Sequence, residues 1–166
     1  MFADHFRSFA AYNAWANRRL YDAVAALPAD AVRAARPAAY FGSILGTLNH
    51  VLVADRLWLD RIEGRPPRGY RLDTVLHEDP GELREARAAE DARIEALVAD
   101  LDDGDLERTV AYTNFRGQAF ADPLGRLLAH VFNHQTHHRG QAHALVKDAG
   151  AEPPPLDYIY FLRETG

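Results

Sequence analysis

The segment from Ser43 to Glu63 restricts most strongly how this chain can fold. Ile44, Leu45, Leu48, Val51, Leu52, Val53, Leu57, Trp58, Leu59 and Ile62 put apolar side chains on most sides of a helix. A helix of that kind cannot lie on a surface and must be wrapped by others. Gly64 and the turn-forming Arg65-Pro66-Pro67 end it.

Three further helical runs are available to do the wrapping. From Phe2 to Leu27 apolar residues recur at helical spacing (Phe2, Phe6, Phe9, then Ala16, Leu20, Val24), until Pro28 stops the run. A third helix is predicted from Pro80 to Leu101. Its apolar stripe is narrow (Leu83, Ala86, Ile94, Leu97) and its other faces are charged, so it is expected on the outside of the fold. Asp122-Pro123 marks the fourth start, an N-cap followed by proline at the first helical position, and Gly150 the fourth stop. Between helices three and four, Glu107 to Phe120 alternates like a short hairpin or extended excursion. Asp157 to Arg163 has room for a last turn or two of helix. With 166 residues, the prediction is one all-α domain, residues 1–166, built as an antiparallel four-helix bundle.

Five of the eight histidines fall in HVFNHQTHHRGQAH, from His130 to His143. Residues four apart stack on one helix face, so His130, His134 and His138 form a row, two adjacent members of which can share an ion. Leu127, Val131, Ala142 and Leu145 fall along the same side, which places the row toward the core. Two buried imidazoles need partners, and either a metal ion or a polar network supplies them. Bundle cores commonly build metal sites from facing helices. His50, mid-helix on the second run with the small Gly46 one turn before it, is the natural third ligand. Taken alone, His50 reads as a hydrogen-bonded core residue rather than a ligand.

The absence of cysteine excludes disulfides, thiolate ligands and a cysteine nucleophile. A metal here would be held by imidazole, carboxylate, amide or water. A net charge of −5 is not the footprint of a nucleic-acid binder. No apolar run is long enough to span a bilayer and no signal peptide is apparent, which points to the cytoplasm. Helix one is unusually aromatic (Phe2, Phe6, Phe9, Tyr12, Trp15, Tyr21) on more than one face. The surplus is available to a second subunit, unless the Tyr158–Phe161 segment covers it.

Several blocks in order, YNAWANRRLYDAV, GTLNHVLVADRLWLDRIEG, HVFNHQTHHRGQ and PPLDYIYFLRE, resemble the DinB-like (damage-inducible) family of four-helix-bundle metalloproteins over nearly the whole chain. By that resemblance the ligand triad maps onto His50, His134 and His138, with zinc or nickel as the expected ion. His137 stands where the family often has tyrosine, and His130 is left as a pocket residue. Asn49, Asn133, Gln135 and Gln141 are candidates to orient an imidazole through its other nitrogen. Characterised relatives include thiol-dependent S-transferases and mycothiol-dependent maleylpyruvate isomerase, and family members often dimerise. The resemblance therefore implies a homodimer and a metal-activated low-molecular-weight thiol acting on a small electrophile, with Arg139 nearest the triad to receive the thiol. Two alternatives stand beside it. One is metal-dependent hydrolysis, for which no carboxylate lies within one turn of either helix-four histidine and Asp55 points away from the side of His50. The other is a non-enzymatic, stress-related metal-binding protein.

Overall fold

The computed structural model describes residues 2–166. In chain order its helices are α1 (Phe2–Ala25), α2 (Ala29–Arg33), α3 (Ile44–Ile62), α4 (Pro80–Ala99), α5 (Leu124–Asp148) and α6 (Tyr158–Thr165). Strands β1 (Thr109–Thr113) and β2 (Ala119–Pro123) stand between α4 and α5. The four helical runs of the sequence are α1, α3, α4 and α5. Caps set two of the starts. The Ser43 hydroxyl accepts from the Gly46 N–H, and Asp79 accepts from Gly81 and Glu82 ahead of the proline that opens α4. Part of the segment expected as loop after Pro28 folds as α2, because Val32 is buried against the core.

The start of α5 differs from its expected form. Asp122 is paired with Val110 in the antiparallel hairpin and accepts the Tyr112 hydroxyl at 2.9 Å. Its carboxylate is thus spent on the sheet, and α5 begins at Leu124 without a side-chain cap. The hairpin itself turns at Gly117, whose φ of +74° suits glycine, and Asn114 Oδ1 accepts from the Arg116 and Gln118 N–H groups there.

Around the bundle the order is α1, α4, α3, α5, each long helix packing on two neighbours. Arg7 reaches Leu101 and Asn17 reaches Asp91, so α1 and α4 are antiparallel; His50 meets His134 and Trp58 meets His130, so α3 and α5 are too. By contrast, Asp55 pairs with Arg87 and Asp60 with Arg93, which means that α3 and α4 run in the same direction. A parallel pair requires a long connection, and residues 63–79 supply it by retracing α3. Arg68 bonds Asp60, Leu72 reaches His50 and His77 reaches Asn49 along the way. This crossover forms one wall of the site described below.

Two apolar clusters fill the bundle, one around Leu20, Leu52, Leu83 and Val146, the other around Leu59, Ile94, Leu128 and Phe132. On every long helix the residues between them are polar and buried: Asn13 and Asn17, Asp55, Arg87 and Asp91, Gln135 and Arg139. Of the charged residues of α4, Arg87, Glu90 and Asp91 are therefore turned inward, while Glu82, Arg84, Glu85 and Glu95 keep its outer face charged. Arg87 donates to Asp55 at 2.5 Å and lies 3.0 Å from Asp91, while Arg139 donates to Asn13 and Asn17. Paired charges hide inside a bundle when the partner sits on another helix. Removing one member would leave the other buried alone, at a cost of about 3–5 kcal/mol.

The C-terminal helix α6 covers much of the aromatic surplus of α1. Tyr12 and Trp15 are buried with Phe161, the Tyr158 and Ser8 hydroxyls are 2.6 Å apart, and Trp15 Nε1 donates to Glu164. Phe2 stays exposed. Among the described residues, no helix is long and apolar enough to cross a membrane.

Candidate metal centre

His50 is buried in the middle of α3, and His134 and His138 lie half-buried one turn apart on α5. The ring centroids of His50 are 5.1 Å from His134 and 4.5 Å from His138; those of His134 and His138 are 4.4 Å apart. One ring nitrogen of each lies within 4.8 Å of the other two, and no carboxylate or further histidine joins the group among the described residues.

Outer partners fix two of the tautomers. His50 Nδ1 is 2.8 Å from the Leu72 carbonyl, to which it donates, so its Nε2 presents a lone pair toward α5. His138 Nδ1 is likewise 2.7 Å from Gln141 Oε1, leaving its own Nε2 as the ligand atom. His134 Nδ1 is buried without a hydrogen-bond partner. All three rings are held neutral. Burial, reinforced by the neighbouring His138 and His50, pushes His134 down to about 3, and burial lowers His50 and His138 as well. Neutral imidazole is the form that binds a cation. Three converging neutral donors, two of them pre-oriented, make a cluster that could hold a divalent metal ion.

The histidine row does not sit in the centre of the buried face of α5. Leu128, Phe132, Gln135, Arg139, Ala142 and Val146 occupy that centre, and His134 and His138 lie at its edge, against α3 and under the crossover. Phe41 closes the site from the other side. Its ring stacks on His50 at 3.7 Å between centroids, and it also meets His138 edge-on at 5.7 Å. The space that Gly46 leaves is used here, because a Cβ at Gly46 would collide with the Phe41 carbonyl.

The remaining candidates separate cleanly. Gln141 holds His138 directly, and its amide nitrogen is 3.1 Å from the exposed His137. Asn49 touches no imidazole; it accepts from the Leu76 and His77 N–H groups and donates to the His77 carbonyl, tying down the crossover that carries Leu72. Gln135 is fully buried and belongs to the polar layer with Asn17, while Asn133 is exposed. Arg139 is not a residue of the site. Helical phase turns it from the side of His138 into the core, where Asn13 and Asn17 accept from it. His130 is exposed and packs edge-on to Trp58 with 4.8 Å between centroids, and His143 contacts the Pro154 carbonyl. Asp55 points to Arg87, away from the cluster. Sequence reasoning missed Phe41 and the Leu72 carbonyl. The Phe41-to-Gly46 spacing hints at the first, whereas a backbone acceptor leaves no trace in residue types.

Comparison with known proteins agrees with this architecture. The model of the DinB family matches residues 1–165. The protein named DinB from Bacillus subtilis (strain 168) is 27% identical over 158 residues, covering 93% of this chain and 91% of that one. The crystal structure of a DinB-like protein from Bacillus cereus ATCC 10987 superposes with a TM-score of 0.64, at 22% identity over 87% of this chain and 90% of that one, a likeness of fold. The chain belongs to the DinB family.

Proposed function

We propose that His50, His134 and His138 bind one divalent ion, zinc or nickel, and that the chain uses it to activate an external low-molecular-weight thiol for transfer or addition to a small electrophile. The observation that carries this is the donor set: three neutral imidazoles, with no carboxylate among them. Structural zinc sites usually have four protein ligands, and three leave room for an exchangeable one. When bound, such an ion would supply Lewis acidity that lowers the pKa of a thiol to neutrality or below.

What the chain's own residues do is positioning and exclusion. The Leu72 carbonyl and Gln141 hold two rings in the ligating tautomer. Phe41 screens His50 from water on one side. With no cysteine in the chain, no protein thiol competes for the open position, so the nucleophile must come from outside. Hydrolysis is the weaker alternative. It needs a general base beside the cluster, and Asp55, the carboxylate nearest to His50 in sequence, is committed to Arg87 inside the core.

The test is metal analysis of untagged protein, followed by conjugation assays with several low-molecular-weight thiols and a panel of small electrophiles. Activity should require both metal and thiol and fall by orders of magnitude in His138→Ala. Metal-loaded protein that accelerates no conjugation across the panel would leave the plain metal-binding reading in place.

A further inference from the structure

Arg61 lies on the same face of α3 as His50, eleven residues on, or about 16 Å further along the axis. Its half-buried guanidinium rests among three aromatic rings, with centroids 4.6 Å away at Trp58, 5.2 Å at Phe115 and 5.6 Å at Tyr112. The acidic groups around it are already engaged. Asp60 accepts from Arg68 and Arg93, Glu63 pairs with Arg65 and Arg93, and Asp122 accepts from Tyr112. Among the described residues, Arg61 has no carboxylate within ion-pair distance, and its guanidinium donates no hydrogen bond. This sets it apart from its neighbours Arg56, Arg65, Arg68 and Arg93, each of which holds an acidic partner.

The guanidinium faces a cavity of about 450 Å³ between α3, the crossover and the hairpin, with Leu57, Tyr70, Tyr112 and Phe115 among its walls. That volume suits a small molecule. Tyr70 and Phe115 also line a second, open groove of about 770 Å³, which runs to Leu72 and Phe41. Those are the residues that hold and cover His50. The cavity and the groove share Tyr70 and Phe115, so they adjoin, and together they extend from an uncommitted cation to the residues that cover the histidine cluster. A planar guanidinium with free donors matches a carboxylate in two parallel hydrogen bonds, and an aromatic surround strengthens such a pair by excluding water.

We propose that Arg61 anchors the carboxylate of a small substrate with an apolar body, held so that its far end lies toward Phe41 and Leu72, the cover of the histidine cluster. The far end rests on the proposed function, whereas the anchoring of the carboxylate stands apart from it.

The test is calorimetric titration of the full chain after chelation, so that no metal offers a rival site for the acid. The probes are 4-phenylbutyrate and its neutral amide. The acid should bind saturably at one site, with the amide at least about tenfold weaker. Arg61→Gln should weaken the acid to the level of the amide, and Arg61→Lys, which keeps the charge but not the fork, should fall between. Equal binding of acid and amide, an unchanged acid affinity in Arg61→Gln, or no saturable binding to the wild type would each overturn the proposal. If Arg61→Gln does not fold by circular dichroism, Arg61→Lys and the amide decide. Metal stoichiometry measured alongside keeps the two readings separable. Arg61→Gln should retain its metal, and a His134→Ala chain that has lost metal should still bind the acid.

Discussion

His50 Nε2 stands 3.2 Å from His134 Nε2, while the other nitrogen of His50 is committed to the Leu72 carbonyl at 2.8 Å. With its proton on Nδ1, His50 turns a lone pair toward His134. Something positive must lie between the two rings, either the Nε2 proton of His134 or a shared cation. In the metal-free protein the contact is a hydrogen bond, and a bound cation would take the same two nitrogens as ligands.

Metal binding should therefore depend on His134 and be linked to stability. Wild-type protein should carry about one divalent ion per chain, His134→Ala none, and His143→Ala, altered outside the cluster, the wild-type amount. At free metal a thousandfold above its dissociation constant the ion adds about 4 kcal/mol. Chelation should accordingly lower Tm by roughly 8 °C or more while far-ultraviolet helicity stays, since the bundle has its own core. Full occupancy in His134→Ala would refute the ligand assignment, and loss of helicity on chelation would refute the independent core.

A second expectation concerns acid. In the chelated protein His50, His134 and His138 are all held below the ordinary histidine value of 6.5 by burial, His134 at about 3. The unfolded chain thus takes up protons first as pH falls below 6.5, and the stability these residues contribute above that value is lost progressively on the way down. Asp55 works in the opposite sense: burial raises it to about 7 despite Arg87, so its contribution fades as pH rises from 3.8 toward 7. That effect is common to wild type and His134→Ala and cancels in their difference. Thermal melts from pH 7 to pH 5 should show a steeper loss for chelated wild type than for His134→Ala. Parallel curves would contradict the depressed histidine.

Gly46→Ala tests the seat of Phe41. On helix propensity alone the change should stabilise by about 1 kcal/mol. Here the new methyl group meets the Phe41 carbonyl, and a small-to-large change against rigid backbone costs about 1–3 kcal/mol. Urea denaturation should show a net loss together with weakened metal binding, as Phe41 is pushed off His50. A more stable variant with unaltered metal affinity would mean that the Phe41 segment moves freely.

The helical row of His134 and His138 was legible because a period of 3.6 acts within one helix, and so were the four long runs, the hairpin and the proline and glycine stops. What was lost depends on partners far away in the chain. Arg87, Glu90 and Asp91 look like a solvated face until Asp55, Arg56 and Asn17 are set opposite them. Asp122 looks like a cap until Tyr112 claims its carboxylate. Arg139 lies beside His138 in sequence, but one residue is about 100° of helix, enough to turn it into the core. The covers of the site, Phe41 and Leu72, sit on irregular segments whose course is set by tertiary contacts and not by periodicity.

Asn49 shows how such a segment is held, and it gives the last prediction. Its buried amide makes three hydrogen bonds to the crossover, to Leu76 N–H, His77 N–H and the His77 carbonyl. Nothing else among the described hydrogen bonds ties residues 75–77 back to α3. Asn49→Ala leaves these groups to water or unpaired, which should cost about 2 kcal/mol in urea melts. Loosening the crossover also frees the Leu72 carbonyl, so the His50 ring loses its fixed tautomer and orientation. A partner of that kind is typically worth about 10–100-fold in metal affinity. Asn133→Ala, on the exposed side of α5, should change neither quantity. If Asn49→Ala is destabilised yet binds metal as tightly as the wild type, His50 is aligned by its own packing under Phe41, and the crossover is a cover without a positioning role.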